Sequence, residues 1–308
     1  MKRRYALALA VLFCLPVLDA GEYKFTIPMN ALQVWSKDVV VTVSAELTGH
    51  SGVHLVSKDC EMHFGGTVDG YSGTPAGWVF EPMNVCIQPY FKQKKQKKAD
   101  WIAFGERVVA QGTVEITGVP RIWPEHLSGQ EHDSNPNHTM EIHPITTLMD
   151  GNTKRDFTSF IFAPSGLAGI SEETQQAILE TTTVEAHQSG GSVNVTMETH
   201  GFIGNFADID VSIDPSTIKL LGAGHIMEGE AEIEGGGSFP VHMVSVAGTA
   251  IDQRITKAMQ AKKDVHLEVL ALFSLSPSAL LEAAQAGSSG KVNKPIQLIL
   301  YGETDQSQ

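Results

Sequence analysis

Between Asp38 and Met149 the chain runs through short apolar segments separated by turn residues. In "DVVVTVSAEL" a continuous apolar run passes into alternation, which predicts a buried first strand. "VHLVSKDCEMHFGGTVDGY" reads as two strands around Ser57-Lys58-Asp59, or as one long bent strand ending in a Gly-rich turn, and "GWVFEPMNVCI" supplies another. "FKQKKQKKADWIAFGE" predicts a short helix or loop. "RVVAQGTVEITGV" alternates with period two, and "HTMEIHPITTLM" closes the set.

The order β-β-β, helix, β-β is the one expected of an OB fold, a five-stranded Greek-key barrel. Four stretches, "GVHLVSKDCEMHF", "FEPMNVC", "GTVEITGVPRIWPEH" and "SNPNHTMEIHP", resemble the OB-like domain of a group of exported bacterial proteins of unassigned activity. The last strand of such domains carries an Asn, acid, His and Pro arrangement, matched here by Asn137, Glu141, His143 and Pro144. The resemblance covers roughly residues 22–150 and implies the fold, with almost nothing about chemistry.

The polar stretch "DGNTKRD" marks a domain boundary, and residues 157–303 form a second, β-rich domain with about three helices. "SVNVTMETH" and "DIDVSID" alternate and predict half-buried strands, whereas "FPVHMVSVAG", "VHLEVLALFSL" and "IQLILYGE" read as more fully buried ones. Helix starts are expected at Ser171, at Thr249 with Asp252 three residues on, and at Ser276 with Pro277 following and Gly287 past the end. No internal repeat links the halves in sequence. The fold class is therefore mainly β, with an N-terminal barrel and a second β-rich unit.

Residues 1–20 combine Lys2, Arg3 and Arg4 with a short apolar run and Ala20 at a cleavage position, the pattern of a secretory signal peptide. The apolar run is shorter than the ~20 residues a bilayer helix needs, and no second span follows, so an exported chain, periplasmic or extracellular, is expected. Cys14 falls within the leader. Cys60 and Cys86 remain, and an oxidising compartment favours their pairing. The formal charge of −13 becomes about −15 without the leader's Lys2, Arg3, Arg4 and Asp19, which disfavours nucleic acid as a partner.

Candidate chemistry concentrates at Glu125, His126, Glu131, His132, Asp133, His138, Glu141 and His143. Imidazoles and carboxylates are the ligands of zinc-like ions, but no HExxH or similar spacing fixes two of them on one face, so neither a metal nor another cofactor is assigned. Glu141 and His143 share one strand face, expected to be partly exposed or paired, opposite Met140 and Ile142. In an OB barrel the loop over 120–137 flanks the ligand groove, with the "LTGHSG" loop of His50 on the other side. Trp123 there is a stacking candidate for a ligand, or else packs on the barrel end.

The run Lys92, Lys94, Lys95, Lys97 and Lys98 is read as a solvated helix face or loop, and Glu228, Glu230, Glu232 and Glu234 as a water-facing stripe on one strand. No GxSxG, P-loop or GxGxxG is present, and no catalytic residue is assigned. The expected function is non-catalytic binding of a small ligand or protein, through Trp123, His126, His138, Glu141 and His143. The competing expectations are a metal-dependent hydrolase built on residues 125–143 and an envelope or surface interaction protein.

Overall fold

A computed structural model describes residues 20–92, 98–127, 131–287 and 289–304. The leader up to residue 19 and Lys94, Lys95 and Lys97 lie outside them. Strand β1 (Ala20–Pro28) leads into helix α1 (Met29–Trp35), and β2 (Val41–His50), β3 (Phe64–Val68) and β4 (Gly77–Phe80) follow. Helix α2 (Lys98–Val109) then precedes β5 (Thr113–Ile122), β6 (His138–Asp150) and the short β7 (Thr153–Asp156). β2 meets the core through Val41, Ala45 and Leu47, with Val43 partly buried against it, so it is half-buried and not the buried strand expected.

Residues 53–63 form a loop where strand was expected. Their backbone folds on itself, with the His54 amide donating to the Glu61 carbonyl, and a Cys60–Cys86 disulfide ties them down. These five strands close a barrel: β2, β3 and β4 pair antiparallel in turn, β4 lies parallel to β6, and β5 joins β6 back to β2. Phe64, Phe80, Ile116, Met140 and Ile142 belong to its buried core.

Next come α3 (Glu172–Thr181), the hairpin β8 (Thr183–Ser189) and β9 (Ser192–His200), and then β10 (Phe206–Ile213), β11 (Lys219–Leu221), β12 (Gly224–Ile233) and β13 (Gly237–Val246). The chain ends with α4 (Ala250–Ala261), β14 (Val265–Leu275), α5 (Pro277–Ala286) and β15 (Ile296–Glu303). Ser171, Thr249 and Ser276 cap α3, α4 and α5 with side-chain oxygens that accept from Thr174, Asp252 and Ala279 amides. β1 pairs antiparallel with β9 over its whole length, so the first strand joins the sheet built from the second half.

β10, β12, β13, β15 and β14 close a second five-strand barrel. Its connections repeat those of the first: strands one to three pair antiparallel in turn, three lies parallel to five, four joins five to one, and a helix separates three from four. The repeat is one of topology alone.

The barrels meet along an apolar seam. Along β14, Val269, Ala271 and Phe273 join one core cluster while Leu270 and Leu272 join another, and in β15 Leu298 and Leu300 alternate likewise with Ile299 and Tyr301. Strands buried on both faces need this unbroken apolar run. The outward set packs with Met83 and Val119 from the first barrel, each aliphatic side chain contributing roughly 1.5–3 kcal/mol by burial. No helix among the described residues is long and apolar enough to cross a membrane.

Candidate functional site

Alternation along β6 sends Met140 and Ile142 into the barrel and Glu141 and His143 out of it. That outer face does not meet water. The seam and the 53–63 loop cover it, leaving His138, Glu141 and His143 essentially unexposed. Arg121 on β5 stands opposite Glu141 in the strand register, and Glu81 directly follows β4, with its amide donating to the Ile142 carbonyl. The loop adds His54, Asp59, Glu61 and His63.

These side chains form one connected chain of contacts. His54 Nδ1 lies 2.7 Å from Asp59 Oδ1, and His63 Nε2 lies 3.9 Å from Asp59 Oδ2 and 3.2 Å from Glu81 Oε1. His143 presents Nε2 to Glu61 Oε1 at 2.7 Å; its Nδ1 sits between Glu81 Oε2, 2.7 Å away but poorly aligned for a hydrogen bond, and Glu141 Oε2 at 3.2 Å. Glu141 also receives Arg121 Nη1 at 2.6 Å and faces His138 Nε2 at 3.1 Å. Beyond Arg121, Glu125 and then His126 complete the path, both contacts being 3.2 Å. The two ends reach solvent, the His54 side chain being 25% exposed and that of His126 37%.

Burial opposes charge throughout the centre, and neighbours decide the result. For His143 the carboxylates of Glu61 and Glu81 outweigh burial and hold its pKa well above the usual imidazole value. Burial is likewise overcome at Glu81, whose carboxyl is held down at about 2 by His63 and His143, and at Glu141, held well below its ordinary range by Arg121 and His138. Glu61 goes the other way, because burial outweighs the nearby His143 and raises it well above the carboxylate range. Burial lowers His63, whereas the hydrogen bond to Asp59 raises His54. Glu61 Oε2 and the Tyr301 hydroxyl are buried with no hydrogen-bond partner among the described residues.

Of the residues expected to contact a ligand, Trp123 does not face a groove. It is fully buried, stacked on Phe273 at 5.7 Å with its Nε1 donating to the Gly204 carbonyl, so it belongs to the seam. His126 is part-exposed and stacks on His138 with ring centroids 5.0 Å apart. Glu141 and His143, expected to be partly exposed or paired, are paired and interior, because the second barrel supplies a cover that strand alternation cannot announce. Sequence reasoning missed Glu61, Glu81 and Arg121 as their partners, and His63 beside Glu81. One signal was available: "EMH" at 61–63 and "EIH" at 141–143 share a spacing that puts Glu and His on one side of a buried apolar residue.

A groove of about 430 Å³ does lie beside the 127–137 loop, lined among others by Thr48, Gly66, Thr67, Leu127, Glu131 and Asn137. Two glycines bring that loop onto the strands, since a Cβ on Gly65 or Gly77 would collide with the carbonyls of Asp133 and Asn137 respectively. A larger cleft of about 1050 Å³ lies on the second barrel between residues 162–167 and α4. The glutamates at 228, 230, 232 and 234 line the outer side of β12 and the turn after it, where Glu228 meets Lys294 Nζ at 2.8 Å. No protein-family model, characterised protein or solved structure matches the chain at a significant level.

Proposed function

We propose that this chain is an exported, non-catalytic binding protein made of two OB-type barrels, with its ligand in the groove of the first barrel beside the 127–137 loop. The leader-like N-terminus and the Cys60–Cys86 disulfide support export to the periplasm or beyond. The strand order and the helix between strands three and four support the OB assignment for both barrels. The groove itself carries the binding reading. It lies against β3 beside the loop between strands four and five, one of the two loops that flank the ligand site in OB folds.

Its lining of Lys24, Thr48, Thr67, Glu131 and Asn137 offers ammonium, hydroxyl, carboxylate and amide groups and, among the described residues, no aromatic platform. That chemistry takes a polar ligand by hydrogen bonding and does not stack bases. The competing hydrolase reading on residues 125–143 loses Glu141 and His143 as substrate contacts, both being buried. Saturation-transfer NMR on the full mature chain, with a panel of defined oligosaccharides and short peptides, tests the proposal. Hits that vanish in a groove-filling Thr67→Trp variant support it. Binding that persists in that folded variant, or a panel without hits alongside a protein partner recovered by crosslinking, replaces it with a scaffold role.

A further inference from the structure

We propose that Glu61, His63 and Glu81 bind a divalent transition-metal ion, of the zinc or manganese class, that fastens the 53–63 loop to the first barrel. Each of the three offers a donor atom, and these atoms lie within 4.8 Å of one another. An imidazole with two carboxylates is a donor set suited to such ions. The three come from two parts of the chain, Glu61 and His63 from the loop and Glu81 from just after β4, so an ion held among them ties loop to barrel.

A second observation is independent of the spacing. Glu61 is fully buried, yet its Oε2 has no hydrogen-bond partner among the described residues. A buried carboxylate oxygen left without a partner is costly, and a cation satisfies it.

An entry path exists on the loop side. His54, Asp59 and His63 also bring donor atoms within 4.8 Å of one another, and all three are partly open to solvent. An ion arriving there passes inward through His63, which belongs to both triads. Around the inner triad, His143 and Glu141 play the supporting part: His143 contacts both Glu61 and Glu81, and Arg121 holds Glu141. With Glu61 and Glu81 buried and His63 nearly so, the site is structural, an ion that shares the loop-fastening task with the Cys60–Cys86 disulfide next to it.

The test uses the full mature chain, stripped with chelator, shown to be folded by circular dichroism and titrated with zinc or manganese chloride by calorimetry and native mass spectrometry. One ion per chain and a raised Tm are expected. Glu61→Gln and His63→Gln should each weaken uptake at least tenfold, whereas His187→Ala, at an exposed histidine far along the chain, should leave it unchanged. Because the variants risk misfolding, anomalous diffraction at the zinc edge on the wild-type chain provides the second readout. Anomalous density bonded to Glu61, His63 and Glu81 supports the site. Density only at surface histidines, no uptake by folded protein, or unchanged uptake in folded variants overturns it.

Discussion

Replacing Arg121 by methionine probes the seam and the buried cluster together. The guanidinium is fully buried and makes three hydrogen bonds: Nη1 to Glu141 Oε2 at 2.6 Å, Nη2 to Glu125 Oε2 at 3.2 Å, and Nε to the Phe273 carbonyl of the second barrel at 2.8 Å. Removing one partner of a buried ion pair costs about 3–5 kcal/mol, because the remaining charge is stranded. The Phe273 carbonyl also loses its donor, worth ~1 kcal/mol, while the methionine stem recovers part of the packing. Arg121→Met should therefore lower stability by about 4 kcal/mol, a large part of the 5–15 kcal/mol typical of a folded chain. Urea unfolding at neutral pH reads this directly, provided the m-value is unchanged. Adding Glu141→Gln removes the stranded charge, so the double variant should be more stable than the sum of the single losses by about 2 kcal/mol. A loss under about 1 kcal/mol, or strict additivity, would refute the reasoning by showing that water reaches the pair.

Three further outcomes are expected. Cys60→Ser with Cys86→Ser should cost about 3 kcal/mol for a bridge spanning 26 positions, and reductant should destabilise the wild type while leaving the variant unaffected in the same urea titration. Trp123→Ala should cost roughly 3–5 kcal/mol by cavity formation yet leave NMR hits in the first-barrel groove intact; loss of those hits in folded protein would return Trp123 to the ligand site. Asp150 receives hydrogen bonds from Arg107, and also from Arg155, that hold its carboxyl below the ordinary value despite opposing burial. A depressed pKa means stability present above the unfolded value near ~3.9 and lost as pH falls through the folded one. The stability gap between wild type and Asp150→Asn should thus shrink below about pH 4, and a gap independent of pH would count against the pairing.

Much of the barrel architecture was legible because its signals are local. Period-two alternation placed β5, β6, β9 and β10, and Ser171, Thr249 and Ser276 are caps whose chemistry acts within one helical turn. The pairing of β1 with β9 was not legible, since it joins residues more than a hundred positions apart through backbone groups that carry no side-chain signature. Nor was the common topology of the barrels, because many apolar patterns satisfy one strand order.

The pairing of Glu141 and His143 was among the expectations, and their full enclosure was not. Alternation says which residues share a face and is silent on whether that face meets water. The missing half of the inference lay elsewhere in the chain: "VHLEVLALFSL" and "IQLILYGE" are apolar on both faces, so β14 and β15 require a cover on their outer side as well as a barrel interior. The first barrel has to supply that cover, and Met83 and Val119 do so. The polar residues beside them, Arg121, Glu141 and His143, are then enclosed with the apolar ones. Once enclosed, each needs a partner of opposite charge or a hydrogen bond, and this is what draws Glu61 of the 53–63 loop onto His143 of β6, with His63 beside it on Glu81.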